Sequence, residues 1–336
     1  MEVLLTGATG FLGAHVAAGL LERGYSIKAL RRSTSSLDEF YYILKMRGIY
    51  DKLIHKINWR ECNLLDTYTL AEEIKGVEKI YHCAAIVSFW NRRREEMMHA
   101  NVQGTANIVN CALQAGAKKL CYASSIAALG REKDGDRIDE NTPWRDSKYN
   151  THYAISKYLA EMEVWRGQEE GLDTVIVNPG IIIGEGSWDK GSCRLVNTAA
   201  KGLSFYTRGT NGYVDVQDVA RAMMDLMESN ISGERFILVE GNIPFKEFFT
   251  QLSKEFGKPS PRIPVGRVLA QLARLLYGVK SLASGKEPLV TRETARNSQK
   301  GFNYINDKIK RELGFEFTPM DETIKRVCAA YKNYGK

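Results

Sequence analysis

The sequence has little of several features that mark whole classes of protein. It contains no apolar run long enough to span a bilayer, and the strand-like segment 2–5 starts too early to leave room for a signal peptide. Its six cysteines are scattered, without a CxxC pair or a metal-ligand spacing to histidine. We therefore expect no membrane span, no bound metal, reduced and mostly buried thiols, and a cytoplasmic location.

Long blocks of one charge are also missing. The 336 residues include 47 basic and 40 acidic side chains, for a formal net charge of +7, and the two signs are intermixed along the chain. This distribution argues against nucleic acid as a partner. The positive excess suits a phosphate-bearing small molecule, although such an excess more often reflects solubility alone. The sequence thus predicts a small-molecule substrate and leaves a homodimer open.

What is present is an alternation of short apolar runs with amphipathic helical patterns through the first half of the chain. Such alternation is typical of βαβ units around a parallel sheet. Strands are predicted at 2–6, 25–30, 53–58, 78–84, 118–124 and 173–178, and helices at about 11–23, 67–75, 94–115 and 148–169. We therefore predict an α/β fold with a doubly wound parallel sheet, the Rossmann fold.

A glycine-rich turn joins the first predicted strand to the first predicted helix, in the segment Thr6-Gly-Ala-Thr-Gly-Phe-Leu-Gly13. Gly7 permits a tight turn, Gly10 lets the backbone approach a pyrophosphate, and Gly13 allows close packing of the helix on the strand. Amides at the helix N-terminus then bind the anion. This placement favours a dinucleotide site over a mere tight turn, and we assign the cofactor to Gly7, Thr9, Gly10, Phe11, Leu12 and Gly13.

Beyond residue 180 the alternation weakens and glycine-rich turns appear. A helix is predicted over about 216–228 and a strand over 235–239, followed by a mostly helical remainder. Within that remainder, the stretch 265–282 is predicted to form a helix that packs into the lobe. The alternative is a helix that lies on a membrane surface. We predict two units: a dinucleotide-binding domain of residues 1–183 plus about 213–240, and a smaller, mostly helical substrate-binding lobe of residues 184–212 plus about 241–336.

The second predicted strand ends in Arg31 and Arg32, where a protein specific for NAD usually presents an acidic residue to the ribose 2′-OH. A guanidinium at this position matches a 2′-phosphate bidentately. We therefore expect NADP(H) to be favoured over NAD(H). The alternative is that both arginines are solvated surface residues.

Tyr153 and Lys157 lie four residues apart on a predicted helix and so share one face. An ammonium about 4 Å from a phenol stabilises the phenolate by roughly 4 kcal/mol, which lowers the phenol pKa from about 10 towards 7. Two other pairs have the same spacing, namely Tyr41 with Lys45 and Tyr304 with Lys308. Only Tyr153 follows a predicted strand that ends in hydroxyls, at Ser124 and Ser125, where a parallel sheet binds its ligands. We therefore predict that Ser125, Tyr153 and Lys157 carry proton chemistry.

Together these motifs resemble the extended short-chain dehydrogenase/reductase superfamily, the NAD-dependent epimerase/dehydratase family, over nearly the whole chain. Further segments that match are 82–85, 101–105, 124–130, 178–184, 213–220 and 310–315. Within the superfamily, the chain is most similar to dihydroflavonol reductases, 3β-hydroxysteroid dehydrogenases and cinnamoyl-CoA reductases.

The resemblance implies a role for each matched residue. Ser125 steadies the substrate oxygen, Tyr153 donates or accepts the proton, and Lys157 tunes Tyr153 and binds the nicotinamide ribose. Asn101 supports a proton relay. Further cofactor contacts are implied for Asn63 and Leu64 at the adenine, for Cys83, Ala84 and Ala85 after the fourth strand, and for Pro179, Gly180, Ile181 and Ile182 at the nicotinamide. Asn63 departs from the family pattern, which usually has an acidic residue there, although its amide can still donate to and accept from adenine.

Three functions are compatible with these residues. The first is an NADP(H)-dependent oxidoreductase that interconverts a ketone or aldehyde and an alcohol by hydride transfer. The second is an NAD-dependent nucleotide-sugar epimerase or dehydratase, but the resemblance places an Asp-Glu pair after the catalytic hydroxyl of dehydratases, where this chain has Ile126 and Ala127. The third is a non-catalytic nucleotide-sensing protein, which needs no proton donor such as Tyr153. Phe89 and Trp90 are equally compatible with covering a bound substrate and with packing in the core.

Overall fold

The computed structural model describes residues 2–131, 135–147, 149–266, 287–288 and 291–334. Its central strands are β1 (Glu2–Thr6), β2 (Ser26–Arg31), β3 (Ile57–Glu61), β4 (Lys79–His82), β5 (Lys119–Ala123), β7 (Asp173–Pro179) and β11 (Glu234–Leu238). They form one parallel sheet in the order β11-β7-β5-β4-β1-β2-β3. The inner strands are nearly continuous apolar runs because both faces of the sheet are covered.

Helices cover the two faces of the sheet. On one face α1 (Phe11–Glu22) packs between α2 (Asp38–Met46) and α9 (Val216–Glu228), over one apolar core. On the other face α6 (Gly104–Ala115) lies between α4 (Thr67–Ile74) and α7 (His152–Glu169), over a second core. This arrangement confirms the predicted doubly wound Rossmann fold.

The sheet order also locates a crevice. β1 pairs with β2 on one side and with β4 on the other, so the strand order reverses at β1. Loops that leave β1 and β4 at their carboxyl ends therefore run to opposite faces and leave a gap between them. Ligands of open parallel sheets bind at such a gap.

The third strand differs from the sequence prediction. β3 runs over Ile57–Glu61, and the prediction of a strand over 53–58 is wrong. The preceding residues form a short helix, α3 (Tyr50–Leu53), and a 3-10 turn (Ile54–Lys56), from which apolar side chains pack against the core. A short apolar run in a sequence is compatible with either geometry.

The long helix predicted over 94–115 is interrupted. α5 (Arg94–Met98) and α6 are joined by one π-helical turn (His99–Gln103), which contains Asn101. Such turns are local widenings of a helix and frequently occur at functional sites.

Beyond β7 the chain adds short strands and helices at the edge of the main sheet. A three-stranded sheet consists of β8 (Ile181–Ile183), β10 (Thr210–Asp215) and β12 (Gly241–Pro244), and two strand pairs consist of β6 (Arg137–Ile138) with β14 (Asn303–Tyr304) and β9 (Phe205–Tyr206) with β13 (Ile263–Pro264). The helices are α8 (Cys193–Lys201), α10 (Phe245–Glu255), α11 (Arg292–Asn297), α12 (Asp307–Leu313) and α13 (Met320–Asn333). Of these, α8, α10 and α13 pack together on a third apolar core.

The helix predicted over 265–282 lies, from residue 267 onward, outside the described residues. In the part of the chain that the structure describes, no helix has the length and apolar character needed to cross a bilayer. The boundaries of the two predicted units stay a prediction.

Candidate active site

The glycine-rich turn lies at the carboxyl end of β1, directly before α1. Gly7 adopts a φ of 74°, and a Cβ on it would lie 2.6 Å from the amide nitrogen of Ala84. A Cβ on Gly13 would overlap the carbonyl oxygen of Gly7. The close packing of β1, α1 and the loop after β4 therefore requires glycine at both positions.

Gly10 is different, because protein packing alone does not require glycine there. Its φ is −102°, which any residue can adopt, and the nearest atom to an added Cβ would be the Gly7 carbonyl oxygen at 3.4 Å. Gly10 is the N-cap of the 12-residue helix α1, so no cap side chain accepts a hydrogen bond from the first amides, and the first turn holds no acidic residue. These free donors and the open space at Gly10 fit the pyrophosphate of a dinucleotide.

The other predicted cofactor residues of this loop surround the turn. Thr9 and Leu12 are half-buried. The Phe11 ring packs edge-on against the imidazole of His15 with their centroids 5.6 Å apart, which holds the first turn of α1 in place.

Arg31 and Arg32 lie at the carboxyl end of β2, on the same edge of the sheet as the glycine turn. Arg31 is half-buried, and its Nε has no hydrogen-bond partner within the described ranges. Arg32 is exposed. Two guanidinium groups with donors to spare at this position fit a 2′-phosphate.

Asn63 and Leu64 follow β3 in a tight turn. The Asn63 amide oxygen accepts a hydrogen bond from the Leu65 backbone N–H at 3.1 Å, and the Leu64 carbonyl accepts one from the Asn107 side chain at 2.8 Å. These hydrogen bonds hold the turn against α6. The side-chain nitrogen of Asn63 can still donate a hydrogen bond to a ligand.

Cys83, Ala84 and Ala85 continue from β4 and lie beside the glycine turn. The Ala84 N–H donates to the hydroxyl of Thr6 at 3.2 Å, and that hydroxyl lies 2.6 Å from Nδ1 of His82. His82 is fully buried, and burial lowers its pKa to about 3, so its imidazole is neutral. This hydrogen-bonded link fixes the distance between the ends of β1 and β4.

Ser125 and Tyr153 are brought together although they lie on different elements. Ser125 caps the 3-10 turn that follows β5, and its hydroxyl accepts a hydrogen bond from the Ala127 N–H at 3.1 Å. Tyr153 is in the first turn of α7, whose N-cap is Thr151. Burial raises the pKa of the Tyr153 phenol, and a hydrogen bond with the Ser125 side chain together with the charge of Arg131 acts in the opposite direction.

Lys157 lies one turn further along α7 and is 1% exposed. Its ammonium donates to the Tyr122 hydroxyl at 2.6 Å and to the Ala123 carbonyl at 2.8 Å, both in β5. Burial lowers the pKa of Lys157 to about 7, partly offset by the negative charge of Glu161.

This geometry corrects one expectation. Sequence spacing predicts that Lys157 lowers the pKa of Tyr153, whereas in the protein alone the Tyr153 pKa is raised. The physical reason is that the phenol has lost its water, while the ammonium of Lys157 is itself destabilised by burial and is engaged with β5.

Asn101 connects three parts of the site from the π-helical turn. Its side-chain nitrogen donates to the Ile86 carbonyl at 2.9 Å and to the Ser156 hydroxyl at 3.0 Å, and its oxygen accepts from the Ile86 N–H at 2.7 Å. The loop after β4 is thereby tied to α7 beside Lys157.

Pro179 to Ile182 join β7 to β8 at the same edge. A Cβ on Gly180 would lie 2.5 Å from the Gly212 carbonyl oxygen, so glycine is needed where this segment passes β10. Immediately before it, the Asn178 side chain donates to the Ser125 carbonyl at 3.0 Å. The segment predicted to line the nicotinamide is therefore coupled directly to the turn that holds Ser125.

Two residues of this region escaped the sequence analysis. Glu161 is fully buried and accepts hydrogen bonds from Ser124 at 2.6 Å and Asn178 at 2.9 Å. It follows Tyr153 and Lys157 at the same four-residue interval, a signal that was available in the sequence. Arg131 acts electrostatically on Tyr153. Phe89 is also placed at the site, since its ring lies edge-on to Tyr153 with centroids 5.8 Å apart.

Known proteins match the chain over most or all of its length. The profile of the "NAD dependent epimerase/dehydratase family" matches residues 3–238. A Synechocystis protein named "Putative dihydroflavonol 4-reductase" is 32% identical over 98% of this chain and 94% of its own length. Cinnamoyl-CoA reductase 1 of Petunia hybrida is 25% identical over 99% of this chain and 92% of its own length.

Solved structures share the fold. The crystal structure of gox2253 has a TM-score of 0.81 and 33% identity, and the match covers 99% of this chain and 98% of that one. A UDP-glucose 4-epimerase of Thermotoga maritima, solved with UDP-glucose, has a TM-score of 0.79 at 20% identity over the whole of both chains.

Three observations agree: the glycine turn at Gly10, the Ser125, Tyr153 and Lys157 side chains at one edge of a doubly wound sheet, and these matches. The chain belongs to the NAD-dependent epimerase/dehydratase family of the extended short-chain dehydrogenases/reductases, and it is an NAD(P)-dependent oxidoreductase that acts on CH–OH or carbonyl groups.

Proposed function

We propose that the protein is an NADP(H)-dependent oxidoreductase that interconverts a ketone or aldehyde and the corresponding alcohol, with Tyr153 as general acid and base. The observation that carries this proposal is the contact between Ser125 and Tyr153, one helical turn from Lys157 and at the same carboxyl edge of the sheet as the glycine turn. Bound cofactor supplies or accepts the hydride. A carbonyl compound needs in addition only a proton at its oxygen, which a phenol can deliver.

Each chain residue has a defined task in this reaction. Ser125 donates a hydrogen bond to the substrate oxygen and orients it towards the Tyr153 hydroxyl, which gives its proton to that oxygen during reduction and takes it back during oxidation. Lys157 lies one helical turn from Tyr153, and its pKa of about 7 lets it exchange a proton near neutral pH. Asn101 supports a proton relay and also positions α7 through its hydrogen bond with Ser156.

Cofactor residues are assigned on the same basis. The glycine turn binds the pyrophosphate, Arg31 and Arg32 bind the 2′-phosphate, and the turn at Asn63 and Leu64 borders the adenine. Support for NADP(H) comes from the two arginines at the end of β2 and from the unpartnered Nε of Arg31. The loop 83–85, which packs against the glycine turn, contacts the cofactor, and the segment 179–182 borders the nicotinamide.

A nucleotide-sugar epimerase or dehydratase is the second candidate, because the likeness to the UDP-glucose 4-epimerase shows a shared fold. Ser125 is followed by Ile126 and Ala127, and Ile126 is buried in an apolar cluster with Leu129. Neither side chain can give or take a proton, so elimination has no acid or base at this position. This observation favours the reductase.

Two assays separate these candidates. The first measures how many NADPH molecules are consumed for each molecule of alcohol formed from a panel of ketones and aldehydes, and we expect one. The second incubates the protein with UDP- and dTDP-sugars and separates the products by chromatography. Conversion of a nucleotide sugar without net change in cofactor absorbance would overturn the reductase proposal and support the second candidate.

We further propose a cytoplasmic location, supported by the six cysteines, all of which are free thiols. A small-molecule substrate follows from the reaction proposed. The homodimer and the division into two units remain predictions.

A further inference from the structure

Arg131 is the one buried arginine among the described residues, with 8% of its surface exposed. It closes the loop that begins at Ser125. One terminal nitrogen of its guanidinium donates to the Ala127 carbonyl at 3.3 Å, a long hydrogen bond, and its Nε has no partner in the described ranges. The guanidinium also lies 5.6 Å from the centroid of the Phe302 ring.

A buried cation normally has a carboxylate beside it, because the desolvation of an unpaired charge is strongly unfavourable. Two partly buried arginines elsewhere in the fold follow that rule. Arg235 pairs with Glu161 at 3.0 Å, and Arg326 pairs with Glu185 at 2.5 Å. Among the described residues, which do not include 132–134, Arg131 has no such ion pair.

The surroundings of Arg131 combine an apolar wall with a buried hydroxyl. The apolar wall includes Ile126, Leu129, Tyr149, Phe302 and Tyr304.

 The hydroxyl of Tyr304 is buried and lies within hydrogen-bond reach of the Arg131 side chain. Burial raises the pKa of both Tyr304 and Tyr153, and the charge of Arg131 opposes this rise, so the guanidinium lies within electrostatic reach of both phenols.

The backbone holds Arg131 in this position. A Cβ on the preceding residue, Gly130, would overlap the Pro143 carbonyl oxygen, so the chain is packed tightly against residues 142–144 there. The Ala127 N–H donates to the Ser125 hydroxyl, while the Ala127 carbonyl accepts from Arg131. One short turn therefore presents both the Ser125 hydroxyl and the Arg131 charge at a set separation.

From this arrangement we infer that Arg131 is a substrate-binding residue, and that the substrate carries an oxyanion, a carboxylate or a phosphate, in addition to the carbonyl or alcohol that reacts at Tyr153. The inference rests on the proposed function for the position of the reacting group. A guanidinium forms its strongest hydrogen bonds with such oxyanions. The neighbouring Tyr304 hydroxyl supplies a second donor.

The test compares benzoate with benzamide, which have nearly the same shape and differ in charge. Binding of each is measured by calorimetry to protein saturated with NADP⁺, so that Arg31 and Arg32 are already occupied. We expect benzoate to bind wild type at least about tenfold more tightly than benzamide, as one charge-assisted hydrogen-bond pair allows. Phenyl phosphate, titrated in parallel, distinguishes a phosphate-bearing substrate from a carboxylate-bearing one.

Three variants locate the effect. In Arg131→Gln the benzoate preference should disappear, and in Arg131→Lys, which keeps the charge, part of it should remain. Arg137→Gln removes one exposed positive charge nearby and should keep the wild-type preference. NADP⁺ binding to each variant verifies that the fold is intact.

The outcomes separate this inference from the proposed function. Equal binding of benzoate and benzamide to wild type, or an unchanged preference in Arg131→Gln, would show that Arg131 only caps the turn at Ala127. Reduction of neutral ketones with NADPH would in that case still support the reductase. Conversely, an Arg131-dependent preference without any NADPH consumption would retain the oxyanion site and remove the reductase proposal.

Discussion

At the residue scale, the Tyr153 hydroxyl is the group on which the proposed chemistry depends. Tyr153→Phe keeps the ring that packs against Phe89 and removes only the acidic hydrogen. We expect kcat to fall by about 10² to 10⁴, the usual contribution of general acid catalysis, with the Kd for NADPH unchanged. Steady-state kinetics and fluorescence titration of NADPH measure the two effects.

Two further variants sharpen this prediction. Lys157→Met should lower both kcat and NADPH affinity, because Lys157 is proposed to act on the phenol and on the cofactor. Tyr158→Phe is the matched control, since Tyr158 lies on the same helix but stacks on Trp144 at 4.3 Å. Near wild-type turnover by Tyr153→Phe would exclude Tyr153 as the proton donor.

Cofactor preference is also decided by single side chains. Arg32→Ala removes an exposed guanidinium at the end of β2, where we place the 2′-phosphate. We expect the Kd for NADPH to rise about 10- to 100-fold, the value of one charged hydrogen-bond pair, and the Kd for NADH to stay the same. Arg23→Ala, which removes an arginine paired with Asp225 and Glu228, serves as the control. Tighter binding of NADH than NADPH by wild type would contradict the assignment.

At the element scale, the turn between β1 and α1 contains glycines that are needed for different reasons. A Cβ on Gly13 meets the Gly7 carbonyl, so Gly13→Ala should destabilise the cofactor-free protein by about 1 to 3 kcal/mol through overpacking. Gly10→Ala meets nothing closer than 3.4 Å and should leave that stability nearly unchanged while weakening NADPH binding. Urea unfolding without cofactor and NADPH titration test the two variants. A loss of stability in Gly10→Ala equal to that in Gly13→Ala would show that packing, and not a ligand, explains both glycines.

The buried carboxylate of Glu161 joins α7 to three strands of the sheet. It accepts from Ser124 at the end of β5 and from Asn178 in β7, and it pairs with Arg235 in β11 at 3.0 Å. Glu161→Ala leaves the Arg235 charge without its partner, and we expect a loss of about 3 kcal/mol in the free energy of unfolding. Glu163→Ala breaks a partly exposed pair with Arg166 on the same helix and should cost less than about 1 kcal/mol. Equal losses in urea unfolding of the two variants would be evidence against a joining role for Glu161.

At the scale of the whole molecule, two buried histidines make the fold sensitive to acid. His15 and His82 have pKa values of about 4 and about 3, both lowered from 6.5 by burial. The unfolded chain therefore binds protons below pH 6.5 that the folded chain does not bind, so the contribution of these histidines to stability is full above pH 6.5 and decreases as the pH falls. Each histidine contributes about 1.4 kcal/mol per pH unit in this window.

Urea unfolding at a series of pH values from 7.5 to about 4.5 measures this slope, which covers the window in which unfolded histidine titrates. His15→Gln cannot be protonated, and its slope should be smaller than that of wild type. Lys157 adds a slope of the same sign above pH 7, because its pKa is lowered from 10.5 to about 7. A stability that does not change between pH 7 and 5 would show that the histidines are solvated.

The sequence by itself determined the class of fold and the main parts of the site. Predicted helices at about 11–23 and 216–228 agree with α1 and α9 to within a residue, because clear turn signals bound both, and α9 also has a 3.6-residue apolar stripe. The glycine turn and the hydroxyls after β5 are local in the chain, so their place at the carboxyl edge of the sheet followed from strand order alone. The extended short-chain dehydrogenase/reductase family was recognisable from the same motifs.

Only the tertiary structure decided what depends on contacts between distant segments. The third strand lies at 57–61 because the apolar residues before it pack against the core from a helical turn. The periodicity of the sequence does not distinguish this arrangement from a strand. The raised pKa of Tyr153 depends on how much water the folded chain excludes from the phenol. Glu161 pairs with Arg235, which lies 74 positions further along the chain. Arg131 lies over the ring of Phe302, which is 171 positions further along. Desolvation and long-range pairing arise only when the strands align, and no local pattern of residues encodes them.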